Sequence, residues 1–223
     1  MSGTYVGVDV QLSRGCAYAV LNEQAVVIDR GWVDDAPAFR AVIERLVRHD
    51  DVVVGIDAPR RTLPAPRAWG LVGGQWARVR RDNGRHAELA IKALGLANPQ
   101  WTPLHGQAPP WMLLGFSLFE AVVDVDRVSA HEVFPSASYR MFEAAAAAGE
   151  AATLPTVTFS LERFVNGPKD MLDAIVAALT VKEYAEGRGC AVGGGDGYGT
   201  IVLPRPLTPR DAAHPALQWP SSR

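Results

Sequence analysis

Two apolar segments of the chain end in the same pattern of glycine, hydrophobic residue and aspartate. They are Tyr5-Val6-Gly7-Val8-Asp9 and Val52-Val53-Val54-Gly55-Ile56-Asp57. Apolar runs of this length, rich in valine and isoleucine, are typical of strands buried in a sheet. An ionised carboxylate in such surroundings is costly unless it is paired or binds a cation. Both strands are therefore predicted to end at a site that needs negative charge.

A third carboxylate lies in an apolar helix predicted over residues 168–186. Asp173 borders the buried stripe of this helix, which consists of Leu172, Ile175, Val176 and Leu179. Three acids in three separate core elements suggest one shared site. The occupant that best accounts for them is a divalent metal ion.

Two further acids are candidate ligands of the same site. Glu132 lies on a predicted strand at 129–134, and Asp170 shares a helix face with Asp173. Each candidate also has a purely structural explanation: Asp9 and Asp57 as turn acids at strand ends, Glu132 as a solvent-facing strand residue, and Asp170 as a partner of the helix dipole. Two-metal phosphoryl transfer needs several converging carboxylates, and magnesium and manganese favour oxygen ligands. The predicted ligands of two Mg²⁺ or Mn²⁺ ions are Asp9, Asp57, Glu132, Asp170 and Asp173, with Asp9, Asp57 and Asp173 as the catalytic group.

The order of predicted elements indicates an α/β fold. Short turns join predicted strands at 4–10, 15–21 and 25–33, which makes them antiparallel neighbours. A helix at 36–48 then leads to the strand at 52–57, and such a crossover places that strand parallel in the same sheet. The rest of the pattern predicts helices at 85–95, 111–123, 136–148 and 168–186, strands at 129–134 and 200–203, and a linker with a short helix at 150–166.

The expected domain organisation is a single domain over residues 1–204. A segment rich in arginine, proline and glycine, at 58–128, forms an insertion with helices after the fourth strand. The proline-rich end at 205–223 is expected to be poorly ordered.

Between residues 60 and 86 the insertion contains seven arginines and a single acid, Asp82, with two tryptophans interleaved. Arginine contacts phosphates and aromatic faces stack on bases, so the segment is a candidate clamp for nucleic acid. A solvated basic loop anchored by its tryptophans explains the composition equally well. The candidate substrate-binding residues are Arg60, Arg61, Arg81, Arg85 and Lys169.

The net charge of −2 and the pI near 6.2 exclude a globally polycationic surface, so nucleic-acid binding would depend on local basic patches. Cys16 and Cys190 have no neighbours at zinc-ligand spacing and are expected to be reduced thiols in a cytoplasmic protein. No apolar run is long enough to span a bilayer, and no membrane partner is expected.

Four segments resemble a family of predicted RNase H-like nucleases, domain of unknown function 429. They are Gly7-Val8-Asp9, Gly55-Ile56-Asp57-Ala58-Pro59, Glu132-Val133-Phe134-Pro135 and Asp170-Met171-Leu172-Asp173-Ala174, and the closing strand Gly199 to Pro204 is also similar. The resemblance implies a ribonuclease H-like mixed five-stranded sheet flanked by helices. It also implies acids on the first strand, on the fourth strand beside it and on the last helix.

Three functions follow as expectations. The first is a metal-dependent nuclease that hydrolyses phosphodiester bonds of DNA or RNA by a two-metal mechanism. The second is a catalytically inactive RNase H-like module that binds nucleic acid or protein. A sugar-kinase-like ATPase is the third, although residues 11–15 supply only a weak phosphate-binding turn.

Overall fold

A mixed sheet of seven strands forms the centre of the protein. The structure is a computed structural model that describes residues 3–149 and 169–220, except for the side chain of Arg81. The strands are β1 Gly3–Asp9, β2 Cys16–Leu21, β3 Val27–Val33, β4 Asp51–Asp57, β5 Arg67–Val72, β6 Gln75–Asp82, β7 Val128–Val133, β8 Cys190–Gly193 and β9 Thr200–Leu203. The spatial order in the main sheet is β3-β2-β1-β4-β7-β9-β8, and β5 and β6 form a separate two-stranded sheet.

The predicted α/β class is confirmed, and the sheet has seven strands, six of which correspond to predicted strands, instead of the five that the family resemblance implies. The pairings between β1 and β4, β4 and β7, and β7 and β9 are parallel, and the outer pairings are antiparallel. The strand at Cys190–Gly193 has only four residues. It was missed because Val192 is its only β-branched residue and a glycine-rich loop follows it, whereas the equally short β9 has the sequence Thr-Ile-Val-Leu.

Helices cover both faces of this sheet. They are α1 Ala36–Leu46, α2 His86–Ala93, α3 Pro110–Val122, α4 Pro135–Ala147, α5 Lys169–Ala185 and α6 Pro209–Ala212, followed by a 3₁₀ helix at Pro215–Leu217. On one face α5 packs against β1, β2 and β4, and on the other face α1 and α3 complete a second apolar layer. The linker predicted at 150–166 lies outside the described residues.

Glycine allows α5 to approach the sheet closely. A Cβ atom on Gly7 would lie 2.0 Å from the carbonyl oxygen of Ala174 and 2.2 Å from the amide nitrogen of Ala178. The backbone of α5 thus packs directly on β1 at Gly7, two residues before Asp9. This contact sets the distance between the two elements.

The insertion at 58–128 contains the β5–β6 hairpin, α2 and α3. Its hairpin packs against the end of the chain: the indole Nε1 of Trp76 donates to the carbonyl of Pro215 at 2.9 Å, and the rings of Trp76 and Trp219 lie 5.1 Å apart. The segment after Pro204, for which poor order was expected, therefore has defined structure as far as Pro220. The tryptophans of the insertion supply partners that the local composition of the tail does not indicate.

Candidate carboxylate site at the edge of the sheet

Asp9 and Asp57 are direct neighbours at one edge of the sheet. They pair in register as the last residues of the parallel strands β1 and β4. Asp9 is only 9% exposed, and Asp57 is half-buried. Carboxyl ends of adjacent parallel strands point to the same edge, so the two acids predicted from the sequence lie side by side.

Asp173 approaches this pair from α5. Its side chain is buried, and its two oxygens accept hydrogen bonds from the hydroxyl of Tyr139 at 2.8 Å and from Lys169 Nζ at 2.5 Å. Tyr139 lies on α4. Sequence reasoning missed this residue, because no local pattern indicates which face of α4 packs against α5.

The charges of neighbouring acids act on Asp9 and on Asp57. Burial, followed by the charges of Asp173 and Asp170, raises the pKa of Asp9 to about 7. Burial, followed by the charges of Asp9 and Asp173, raises the pKa of Asp57 well above its ordinary range. Such Coulombic effects decline with distance, so Asp173 lies within electrostatic range of Asp9 and Asp57, and Asp170 within range of Asp9.

Lys169 supplies positive charge to the cluster. Its hydrogen bond to Asp173 raises the pKa of its own ammonium group, and the charges of Asp9 and Asp57 act in the same direction. The side chain is 79% exposed, so the ammonium lies at the mouth of the site. Lys169 therefore contacts a carboxylate, whereas the sequence suggested contact with a substrate phosphate.

Within residues 3–149 and 169–220, no group of three or more histidines, cysteines or acids is arranged to hold a metal ion. The chemistry of the cluster nevertheless suits one. Its groups are carboxylates, which are the ligands that magnesium and manganese prefer, and a nearby cation would lower the raised pKa values of Asp9 and Asp57.

Glu132 lies in a different environment from the other predicted ligands. Both of its oxygens accept hydrogen bonds from the guanidinium of Arg85, one of them at 2.9 Å. Arg85 also donates to Glu88, whose side chain accepts from the backbone amide of Thr102 at 3.0 Å. Glu132 therefore belongs to a buried ion-pair network next to the cluster.

Arg85 was predicted to bind substrate, and the structure corrects this. The residue is 1% exposed, and its guanidinium is held between Glu132 and Glu88, so it cannot reach a nucleic-acid backbone. The sequence could not distinguish it from the exposed arginines nearby, because its acidic partners lie on other elements or within the next helical turn.

The remaining predicted substrate-binding arginines lie on the surface or outside the described side chains. Arg60 is exposed, donates to the carbonyl of Ala130 and lies over the ring of Phe119. Arg61 is exposed and donates weakly to the carbonyl of Gly197 at 3.3 Å. The side chain of Arg81 lies outside the described part of the structure.

A cavity of about 620 Å³ begins beside Asp57. It lies between the β1–β2 turn, the loop that follows α2, the start of α3 and the end of β7. Sequence reasoning missed it, because its walls come from segments far apart in the chain. Its lining includes Gln11, Asn98, Gln100, Trp111 and Phe134.

Comparisons with known proteins leave the chain without a relative: no family model, no curated protein and no solved structure matches it. Among the described helices, none combines the length and the apolar character needed to cross a membrane.

Proposed function

We propose that the protein is a divalent-metal-dependent nuclease that hydrolyses phosphodiester bonds of DNA or RNA. The observation that carries the proposal is the in-register pairing of Asp9 and Asp57 at the ends of two parallel strands, with Asp173 directed at them from α5. Acids such as Asp9 and Asp57, whose pKa is raised by burial and by a neighbouring charge, are candidates for a functional site. The arrangement is also the one that an RNase H-like architecture requires of its first strand, fourth strand and late helix.

Asp9, Asp57 and Asp173 would hold the Mg²⁺ or Mn²⁺ ions, and Asp170 would add negative charge beside them. Bound ions of this kind activate water and stabilise the departing oxygen. Tyr139 fixes the orientation of one Asp173 oxygen, and the ammonium of Lys169 neutralises the other. A metal ion would compete with this ammonium for the Asp173 oxygen. The exposed Arg60 and Arg61 follow Asp57 by three and four residues in the chain and would contact the nucleic-acid backbone.

Cleavage assays test this proposal. Purified protein is incubated with Mn²⁺ or Mg²⁺ and with single-stranded, duplex and branched DNA and RNA. We expect metal-dependent cleavage that falls to the level of the chelator-treated reaction in Asp9→Asn. Asp126→Asn is the matched control, because Asp126 is an exposed aspartate far along the chain from the cluster. Cleavage that persists unchanged in Asp9→Asn would refute the mechanism.

A catalytically inactive module that binds nucleic acid or protein is the second candidate. The contact between Lys169 and Asp173 favours it, since an ammonium group already provides the cluster with a cation. Metal titration separates the two candidates. A nuclease site should be stabilised by Mn²⁺ by about 2.7 kcal/mol at a concentration 100 times the Kd, whereas an inactive module should show no such gain.

A further inference from the structure

The cavity beside Asp57 is part of the same face as the carboxylate cluster, and Asp57 and Glu132 are in its lining. Asp57 is thus shared by the cavity and the cluster. A ligand that occupies the cavity can therefore extend over a short distance to the carboxylate cluster. A volume of about 620 Å³ falls within the range of about 300–1,000 Å³ that is usual for sites of small organic ligands.

The charge of the lining disfavours an anion as the occupant. Its ionisable residues are all carboxylic acids, Asp57, Glu88 and Glu132, and no lysine or arginine lines the cavity among the described residues. Glu88 and Glu132 are already paired with Arg85. A phosphate group would meet repulsion inside the cavity and no donor of positive charge, so the lining favours an uncharged group over an anion.

The lining also offers amide groups with hydrogen-bonding capacity that the described residues do not use. No hydrogen bond from another described residue reaches the side chains of Asn98 and Gln100, both of which are exposed. Gln11 accepts a hydrogen bond from Ser13 at 3.0 Å, while its buried Nε2 has no acceptor within the described part of the chain. A buried donor without an acceptor is costly, and a ligand that accepts its hydrogen bond removes that cost.

Aromatic rings complete the lining. Trp111 at the start of α3 and Phe134 at the end of β7 are both half-buried and line the cavity. Aromatic side chains stack on nucleobases, and asparagine and glutamine amides match the donor and acceptor pairs at base edges. A nucleobase is flat, uncharged and rich in hydrogen-bonding groups. It therefore matches the aromatic rings, the acidic lining and the amide groups of the cavity.

We propose that the cavity binds one unstacked nucleobase of the nucleic-acid substrate, while the phosphate attached to it lies at the Asp9–Asp57 edge. This inference rests on the proposed nuclease function and adds a substrate class to it. A base that is paired within a duplex cannot enter the cavity, so the substrate is a single strand, a strand end or an extruded nucleotide.

Nucleoside binding tests the inference without any need for catalysis. Adenosine, guanosine, cytidine and uridine are titrated into the full chain in the presence of EDTA, and binding is followed by calorimetry and tryptophan fluorescence. We expect saturable binding of at least one nucleoside. Its 5′-monophosphate should bind more weakly than the nucleoside under these conditions, because the cavity lining carries acids and no cations.

Two variants report on the binding site. Trp111→Ala should weaken nucleoside binding by about 5- to 150-fold, which is the range for loss of one base–aromatic stack. Trp69→Ala is the matched control, since Trp69 is a half-buried tryptophan on the β5–β6 hairpin, outside this cavity. If Trp111→Ala fails to fold, Asn98→Ala serves instead, because Asn98 is exposed and lies in a loop.

The outcomes separate this inference from the nuclease proposal. Nucleoside binding that depends on Trp111, without cleavage of any nucleic acid, supports the base-binding cavity and rejects the nuclease. Metal-dependent cleavage with no nucleoside binding to the folded protein rejects the cavity alone. Binding that is lost in Trp69→Ala and kept in Trp111→Ala also overturns the inference and places the bases on the hairpin.

Discussion

Asp9 is held in surroundings that oppose its charge. It is nearly buried at the end of β1, and the neighbouring charges of Asp173 and Asp170 add to the effect of burial. The pKa of about 7 lies above the ordinary value for an aspartate, so the folded protein holds a proton there that the unfolded chain releases. When Asp9 is ionised, it therefore lowers the free energy of unfolding unless a cation binds nearby.

The raised pKa of Asp9 predicts how the free energy of unfolding depends on pH when divalent cations are removed. Between about pH 4 and pH 7 the folded state binds more protons at Asp9 than the unfolded state does, so stability falls as the pH rises through this range. The loss is at most about 1.4 kcal/mol per pH unit. Asp9→Asn lacks this titration, and its stability relative to the wild type should therefore grow from pH 5 to pH 7 and stay constant above. Urea unfolding in EDTA measures the difference, and a constant offset at every pH would contradict the prediction.

Arg85 gives a second prediction for a single residue. Its guanidinium is the partner of two buried acids, Glu132 and Glu88. Arg85→Met should cost about 3–5 kcal/mol of stability, because it leaves carboxylates buried without a counter-charge. In the matched control, Arg45→Met removes an exposed pair with Asp29 and should cost less than about 1 kcal/mol. Equal losses in the two variants, measured by chemical unfolding, would contradict the assignment.

The acids of the candidate site were predictable from sequence to different degrees. Asp9, Asp57 and Asp173 stood out because each interrupts an apolar run, and the structure brings all three together. Arg85 and Glu132 did not stand out as a pair, since they are 47 residues apart in the chain and meet only because α2 packs against β9, the neighbour of β7. Long-range ion pairs leave no local pattern.

At the scale of elements, the contact between β1 and α5 determines where Asp173 lies. Gly7→Ala would place a methyl group within 2.0 Å of the α5 backbone, so the helix must shift outward. We expect a loss of about 1–3 kcal/mol or more. We also expect a weaker stabilisation by Mn²⁺, since Asp173 would move with the helix.

Gly31→Ala, on strand β3, is the control for Gly7→Ala. A methyl group on Gly31 would meet only the ring of Tyr18, with the nearest atom at 2.9 Å, and a side chain can adjust where a helix backbone cannot. This variant should keep the metal response of the wild type. Thermal unfolding with and without Mn²⁺ compares the two variants, and an unchanged response in Gly7→Ala would show that the β1–α5 distance does not control the site.

Long periodic elements were predicted well, and short polar ones were not. The helix predicted at 168–186 corresponds to Lys169–Ala185, and the helix at 136–148 corresponds to Pro135–Ala147. The β5–β6 hairpin was missed, because its arginines hide the strand pattern and its order depends on tryptophan contacts with the chain end.

At the scale of the whole molecule, the end of the chain joins the insertion to the main sheet. The ring of His86 donates from Nε2 to the carbonyl of Ala216 at 2.8 Å and accepts at Nδ1 from the amide of Gly195 at 3.0 Å. The rings of His86 and Trp219 lie 5.1 Å apart. One buried histidine therefore connects α2, the loop between β8 and β9, and the chain end.

Truncation after Thr208 tests this role. The shortened chain loses Pro215, Ala216 and Trp219, which contact Trp76 and His86, and we expect a loss of at least about 3 kcal/mol, as for removal of a buried tryptophan. Truncation after Pro220 is the control, since it keeps all of these contacts. Equal unfolding midpoints for the two truncated chains would show that the tail contributes nothing to the fold.

The contact of α5 with β1 also has a consequence during synthesis on the ribosome. The residues of β1 and β4 leave the exit tunnel first, and the helix that covers them, Lys169–Ala185, emerges more than a hundred residues later. Until then one face of the nascent sheet has no cover and is open to chaperones or to aggregation. The carboxylate cluster is complete only after the helix docks, because Asp173 lies on that helix.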